Sequence, residues 1–208
     1  MSAAMTFDSL VDDIKTYTER GGDSAFVAQI PRIIALAENR LSSEVKALGY
    51  QRYVEGTINS NTAAKPARWR STIAINITSN GIRYYLKQRS YDYCRAYAPD
   101  TTVTGAPVYY ADYGYEHFFI APTPDTDYSF ELAYFERPEP LDDLNQTNWT
   151  TQYAPQLLLY GCLLECAPFL KNPDALQTWQ QMYAQAVAGI AQEDGMRLTP
   201  RTEQRTTV

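Results

Sequence analysis

The apolar residues of this chain change their repeat twice, and that change limits the folds open to it. Phe7, Leu10, Val11 and Ile14 recur at helical spacing, as do Phe26, Ile30, Ile33, Ala37, Leu41, Val45 and Leu48. From Gln51 to Phe135 the helical repeat disappears. Ile73, Ile75 and Ile77 alternate with Thr72, Ala74, Asn76 and Thr78, and Tyr128, Phe130, Leu132 and Tyr134 alternate likewise. Each run reads as a half-buried strand. Between them "VYYADYGYEHFFIAP" reads as a hairpin turning near Gly114 and ending at Pro122. Past "RPEPLDDLNQTNW" the helical repeat returns. Helices separated by a β run must meet to bury their stripes, so the two ends of the chain are expected to form one helical bundle from which the β segment projects.

The expected class is α+β, with helices at residues 1–50, a β-rich insert at 51–137, a helical hairpin at 138–195 and an extended tail at 196–208. Local signals set these boundaries. "GGD" at 21–23 stops the first helix, Pro31 suits the first turn of the second, and Gly49 is its expected stop. Pro155 opens a helix with Leu157, Leu158 and Leu164 on its apolar face, and Pro168 ends or kinks it. Asn172 is the expected cap of the last helix and Pro173 its first residue, with Leu176, Trp179, Tyr183, Val187 and Ile190 as its stripe and Gly195 as its end. The remaining "MRLTPRTEQRTTV" has almost nothing apolar to bury, and is expected to be disordered until it binds a partner.

A chain of 208 residues has room for one domain, or for one domain carrying a large insert. It can bury enough surface to fold without disulfides or metal. With 45% apolar and 20% charged residues it reads as soluble. No stretch has the form of a secretory leader or a membrane span. Three cysteines cannot all pair within the chain, which fits a reduced, intracellular setting. Seventeen tyrosines suit half-wet surfaces such as subunit contacts.

The net charge of −6 is unevenly spread. Residues 61–98 hold seven Lys/Arg against Asp92, a balance of +6, whereas residues 99–150 hold ten Asp/Glu against Arg137, a balance of −9.

Few residues suggest chemistry. Cys162 and Cys166 flank Glu165 at a spacing two metal ligands could share, but further ligands are lacking nearby, and two small core residues is the simpler reading. His117 is the only histidine, with no nucleophile motif or phosphate loop to serve it. The acids of "PEPLDDLNQ" and "PTPDTDY" lack the ligand rhythm of a calcium loop. No catalytic, cofactor-binding or metal residue is therefore expected. The strongest rival signal is the basic and aromatic run of residues 65–97, "KPARWRSTI" with "IRYYLKQRSYDYCRAY", which could make a nucleic-acid-binding module. The acidic pI of 4.8 argues against it.

Two blocks carry a resemblance. Gln29, Pro31, Ile34, Ala37, Glu38 and Leu41 follow the pattern Gln-x-Pro-x-x-Ile-x-x-Ala-Glu-x-x-Leu. Ala154 to Gly161 with Pro168 to Lys171 form the second block, preceded by "LAYFERPEPL". In these the chain resembles the head–tail adaptor (connector) proteins of tailed bacteriophages, over most of its length and least between 51 and 106. The resemblance implies a virion protein, assembled in the host cytoplasm, of which twelve copies form a ring beneath the portal. That ring continues the DNA channel, lets genomic DNA pass without sequence-specific binding, and seats the next tail or nozzle protein. It also implies a portal-binding tail, here Arg197, Leu198, Arg201 and Arg205. The charge asymmetry adds an expectation of inter-subunit contacts, with Lys65, Arg68 and Arg70 of one copy facing Asp125, Asp127 or Glu139 of the next.

Overall fold

The computed structural model describes residues 4–100, 102–170 and 173–198. It is an α+β protein whose described residues divide into two compact units, one drawn from 1–50 and 138–208 and the other from 51–137.

The first unit is helical. Helix α1 (Phe7–Thr18) starts at Thr6, whose side chain and that of Ser9 each bond the other's backbone N–H. It ends at Glu19, in the left-handed region at φ 56°, ahead of the two glycines. A single turn, α2 (Ser24–Val27), is capped by Asp23. Helix α3 (Ile30–Glu44) carries Pro31 in its first turn and buries Ile30, Ile33, Ile34, Ala37 and Leu41.

The expected stop at Gly49 is corrected: α3 ends where Val45 turns extended, and Gly49 lies in a following 3₁₀ turn, Leu48–Tyr50. Its lack of a side chain serves packing instead. A Cβ there would lie 1.9 Å from the Trp149 ring, which also meets Tyr50 edge-on at 5.0 Å.

Helix α5 (Trp149–Tyr153), a short element absent from the sequence expectations, is capped reciprocally by Asn148 and Thr151. Helix α6 (Pro155–Glu165) packs against α1, α3, α5 and the last helix, α7 (Pro173–Leu198). Its buried residues Leu157, Leu158, Leu159, Gly161, Cys162 and Leu163 take up most of its circumference, so its apolar face is wide, with exposed Gln156 and half-buried Tyr160 and Leu164 on the remaining side. Helix α7 buries Trp179 and Tyr183, and the Tyr183 hydroxyl donates to Glu44 at 2.6 Å. Arg40 reaches Glu165 at 2.7 Å, which ties α3 to α6.

The expected end of α7 at Gly195 is also corrected. The helix runs through Met196 and Arg197 to Leu198, because a lone glycine in an exposed helix costs only about 1 kcal/mol. Asn172 lies outside the described residues.

The second unit is a pair of four-stranded sheets with a helix. One sheet has the order β1 (Gln51–Ile58), β8 (Tyr128–Glu136), β3 (Trp69–Ser79), β4 (Ile82–Tyr85) and is antiparallel throughout. The other has the order β2 (Thr62–Ala64), β7 (His117–Ala121), β6 (Tyr109–Tyr113), β5 (Lys87–Gln88), with β5 parallel to β6. Ile58, Ile75, Ile77, Leu132 and Tyr134 of the first sheet share one core with Tyr110, Phe118 and Ile120 of the second. The second sheet's other face packs Ala111, Phe119 and Ala121 against Cys94 of helix α4 (Tyr91–Tyr97).

Asn80 and Gly81, both at positive φ, make the two-residue β3–β4 turn. Two sequence expectations fail here. A helix interrupts the β segment, and Ile73 is 39% exposed because a bulge between Thr72 and Ala74 turns it away from the core.

Gly49→Ala should destabilise the protein by roughly 1–3 kcal/mol through overpacking against Trp149, whereas Gly195→Ala should be neutral or slightly stabilising. Chemical denaturation of both variants checks this, and equal midpoints would contradict the packing argument.

Candidate functional site

The candidates for chemistry become core and edge. Cys162 in α6, Cys166 at its C-terminal cap and Cys94 in α4 are buried, all as free thiols. Burial, with Glu165 nearby, pushes the Cys166 thiol up to about 12, and burial raises Cys162 well above the ordinary thiol range. Neither is poised as a thiolate. Glu165 takes the Arg40 guanidinium. His117 is exposed at the start of β7, opposite Ala64. Among the described residues no group of three or more His, Cys, Asp or Glu could hold a metal ion. In the helical unit an open groove of about 430 Å³ is lined by Tyr153, Tyr160, Met182, Ile190 and Glu193.

The charged residues are sorted more sharply than the sequence suggests. The Lys65 side chain is 1% exposed, and its ammonium donates to Asp112 at 2.7 Å and to the Gly114 carbonyl at 2.9 Å. It also lies 3.7 Å from the centre of the Trp69 ring and 4.8 Å from that of Phe118. An ammonium held this way has its donors and charge engaged within its own unit. Arg68 meets Glu136 at 3.0 Å, and Arg52 meets the other oxygen of the same carboxylate at 3.0 Å. Glu136 thus bridges β1 and the segment entering β3. Arg83 pairs with Glu131 at 3.2 Å. Arg70 is half-buried, and burial together with the charge of Arg137 lowers its affinity for its proton.

Three cations of the basic segment, Lys87, Arg89 and Arg95, are exposed and have no carboxylate within ion-pair distance among the described residues. All belong to the α4 side of the second sheet. Lys87 is paired in register with Tyr109, on the face that α4 covers. Arg89 lies over Tyr93 and Tyr109, at 5.6 and 5.7 Å from the ring centres, and Arg95 lies over Phe119 at 5.7 Å. Tyr91 stacks on Tyr113 at 5.4 Å, while Tyr93 and Tyr97 stand edge-on to Tyr109. Asp125 and Asp127 are exposed in the loop that crosses from β7 to β8, and Asp125 is oriented by the Tyr128 hydroxyl at 2.7 Å. Glu139 is exposed in the helical unit, and its carbonyl accepts from the Asn148 amide. Arg197 and Leu198 are exposed in the last turn of α7, while Arg201 and Arg205 lie outside the described residues.

One residue matters more than sequence reasoning showed. Glu38 is buried on α3, where its carboxylate accepts from the Leu141 N–H at 3.2 Å and from the Asn148 amide at 2.8 Å. Asn148 in turn caps α5, so Glu38 fixes the loop through which the chain re-enters the helices. Burial, assisted by Asp142, raises its carboxyl to about 7 against the pull of its two donors.

A family model described as SU10 adaptor protein matches residues 5–205. The chain belongs to this family. SU10 adaptor proteins are phage head–tail adaptors, so the role is that of a structural adaptor in the virion that contacts other head or tail proteins. No curated protein matches the chain. No described helix is long and apolar enough to cross a membrane.

Two predictions follow from the buried charges. Asp112→Ala takes the carboxylate from a buried ammonium and leaves it the Gly114 carbonyl and two rings, so it should cost about 1–3 kcal/mol, more than Lys65→Met, which leaves only a half-exposed carboxylate behind. Denaturant midpoints of the two variants test that order, and the reverse order would refute it. For Glu38, a carboxyl raised from 4.5 to about 7 stabilises the fold in full below pH 4.5, and the contribution is lost as pH rises through about 7. The loss is at most about 3 kcal/mol, and Glu38→Gln should flatten it. Unfolding free energies measured from pH 4.5 to above 7 check this, and parallel curves for wild type and variant would rule it out.

Proposed function

We propose that copies of this protein close into a ring beneath the portal, which continues the DNA channel and gives the tail its platform. The observation that carries this reading is the family match, which spans both compact units. In this reading the packed helices α1, α3, α5, α6 and α7 are the bundle of each subunit, and twelve copies make the ring. Its partners are the portal, the next tail or nozzle protein, and genomic DNA passing without sequence-specific contact. The work is assembly, in the host cytoplasm and then in the virion, with no catalytic step, cofactor or metal.

The portal contact is assigned to the chain's C-terminal end, through Arg197, Leu198, Arg201 and Arg205. Supporting it, the last turns of α7 from Ala191 to Leu198 are exposed apart from Asp194, whose carboxylate accepts from the Leu48 N–H at 2.8 Å. Beyond that tie Arg197 leans on Glu193 one turn back and Leu198 faces solvent. Arg70, Asp125, Asp127 and Glu139 remain assigned to inter-subunit contacts, while Lys65 leaves that set because it is buried in its own unit. Arg68 leaves it as well, being held by Glu136.

A chain ending at Leu198 keeps the whole of α7. It should melt with the full chain but lose most of its binding to purified portal rings, and Arg197→Glu in the full chain should weaken that binding about tenfold. Co-sedimentation with portal measures both. Undiminished binding by the shortened chain would remove the portal contact from residues 199–208.

A further inference from the structure

We infer that the α4 face of the second unit, centred on Arg89, Arg95 and Lys87 among tyrosines, is a docking surface for the acidic β7–β8 loop of another copy of this chain. The inference rests on the ring reading and names the surface that would make the ring. It also moves the basic partner of the contact away from Lys65 and Arg68, which the structure pairs within their own chain.

The first argument is charge left over. Of the seven cations at 61–98, Lys65, Arg68 and Arg83 meet carboxylates of their own unit. Lys87, Arg89 and Arg95 do not, and all three are exposed. Residues 87–97 hold these three cations against Asp92, a balance of +2 inside an acidic protein. The second argument is composition. Tyr93, Tyr97 and Tyr113 are 44%, 49% and 48% exposed around those arginines. Exposed tyrosine with arginine is the make-up of an interface centre, since tyrosine offers a large rigid face with few rotations to lose and arginine a planar cation with several donors. The rings also set the cations in place, because Arg89 is held over Tyr93 and Tyr109.

The third argument is the partner. A ring contact joins two different patches of the same chain, so the chain itself must carry the complement. The β7–β8 loop does. Asp125 and Asp127 are exposed, neither has a cation within ion-pair distance among the described residues, and Asp125 is held by Tyr128. This loop joins the second sheet to the first, leaving β7 at Ala121, and its acids lie beyond Thr123, which pairs with Thr104 of the segment after α4. The two patches are made of different residues, so each copy carries both halves of a head-to-tail contact.

The experiment is sedimentation velocity on the full chain at low and high salt, with circular dichroism as a check on folding. Wild type should self-associate, less so as salt rises. Arg89→Glu with Arg95→Glu should weaken association at least about tenfold, as should Asp125→Lys with Asp127→Lys. A chain carrying all four reversals should recover much of the loss, an outcome that a folding defect cannot produce. Association unchanged by either pair of reversals overturns the surface while leaving the ring reading intact. A wild-type chain that stays monomeric at every concentration, alone and with portal, overturns the ring reading and this inference with it. Gel shift with duplex and single-stranded DNA is the remaining arm. If the arginine reversals abolish DNA binding but not association, the face belongs to nucleic acid and the inference fails.

Discussion

The antiparallel pairing of β1 with β8 is the constraint on which the architecture depends. Eight residues of each strand pair one to one, from Gln51 opposite Phe135 to Ile58 opposite Tyr128. The strand by which the chain enters the β unit therefore lies beside the strand by which it leaves. Tyr50 and Pro138, the last and first residues of the helical unit on either side, are brought close by this register. A slip of one residue would turn Leu132 and Tyr134 out of the shared core and carry the exit strand out of step with the entry strand. The Glu136 carboxylate between Arg52 and Arg68 fixes the same end of the sheet from β1 and from the segment entering β3. The helical unit can thus be assembled from two distant stretches of sequence because the β unit closes on itself.

Buried charge completes the closure on both sides. In the helical unit Glu38 takes two N–H groups of the re-entry loop, one of which belongs to the residue that caps α5. In the β unit Lys65 is held by Asp112, the Gly114 carbonyl and two aromatic rings at the β6–β7 turn. Among the described residues no buried side-chain polar atom lacks a hydrogen-bond partner. A polar group buried with its partners adds little net stability, but losing one partner is expensive, so such groups select one arrangement against its competitors. That suits an adaptor, whose surfaces must hold a fixed geometry for the proteins on either side.

The change of repeat along the chain was legible because helices and strands bury apolar groups at different spacings, and each repeat lasted long enough to be seen. What escaped was local. Ile73 alternates correctly in sequence, but the bulge beside it inserts a residue that no spacing rule can detect. Helix α4 is only two turns long, and its three tyrosines are of a type that favours strands. Gly49 and Gly195 looked alike as helix stops. One is a packing site for Trp149, and the other is an ordinary position within an exposed helix. The Glu of the Ala37–Glu38 motif was visible as a letter, yet its partners lie more than a hundred residues away, and only the fold brings them together.

The charge asymmetry shows why a count along the sequence misplaces a surface. Lys65 and Asp112 belong to opposite blocks of the sequence and so do Arg68 and Glu136, and both pairs neutralise each other inside one unit. Neutralisation is favoured there because the pairs are partly desolvated and their geometry is fixed by paired strands, conditions under which attraction survives salt. Lys87 and Arg89 at the edge strand β5, Arg95 on a short helix and the acids of the loop that changes sheets have no opposite charge set against them by a paired strand, and they stay in water. The unneutralised charge of the β unit therefore includes Lys87, Arg89 and Arg95 and acids such as Asp125 and Asp127, and the +6 and −9 blocks as written overstate it. A field of that kind acts at a distance of about one screening length, which orients an approaching partner before the tyrosines around it touch anything.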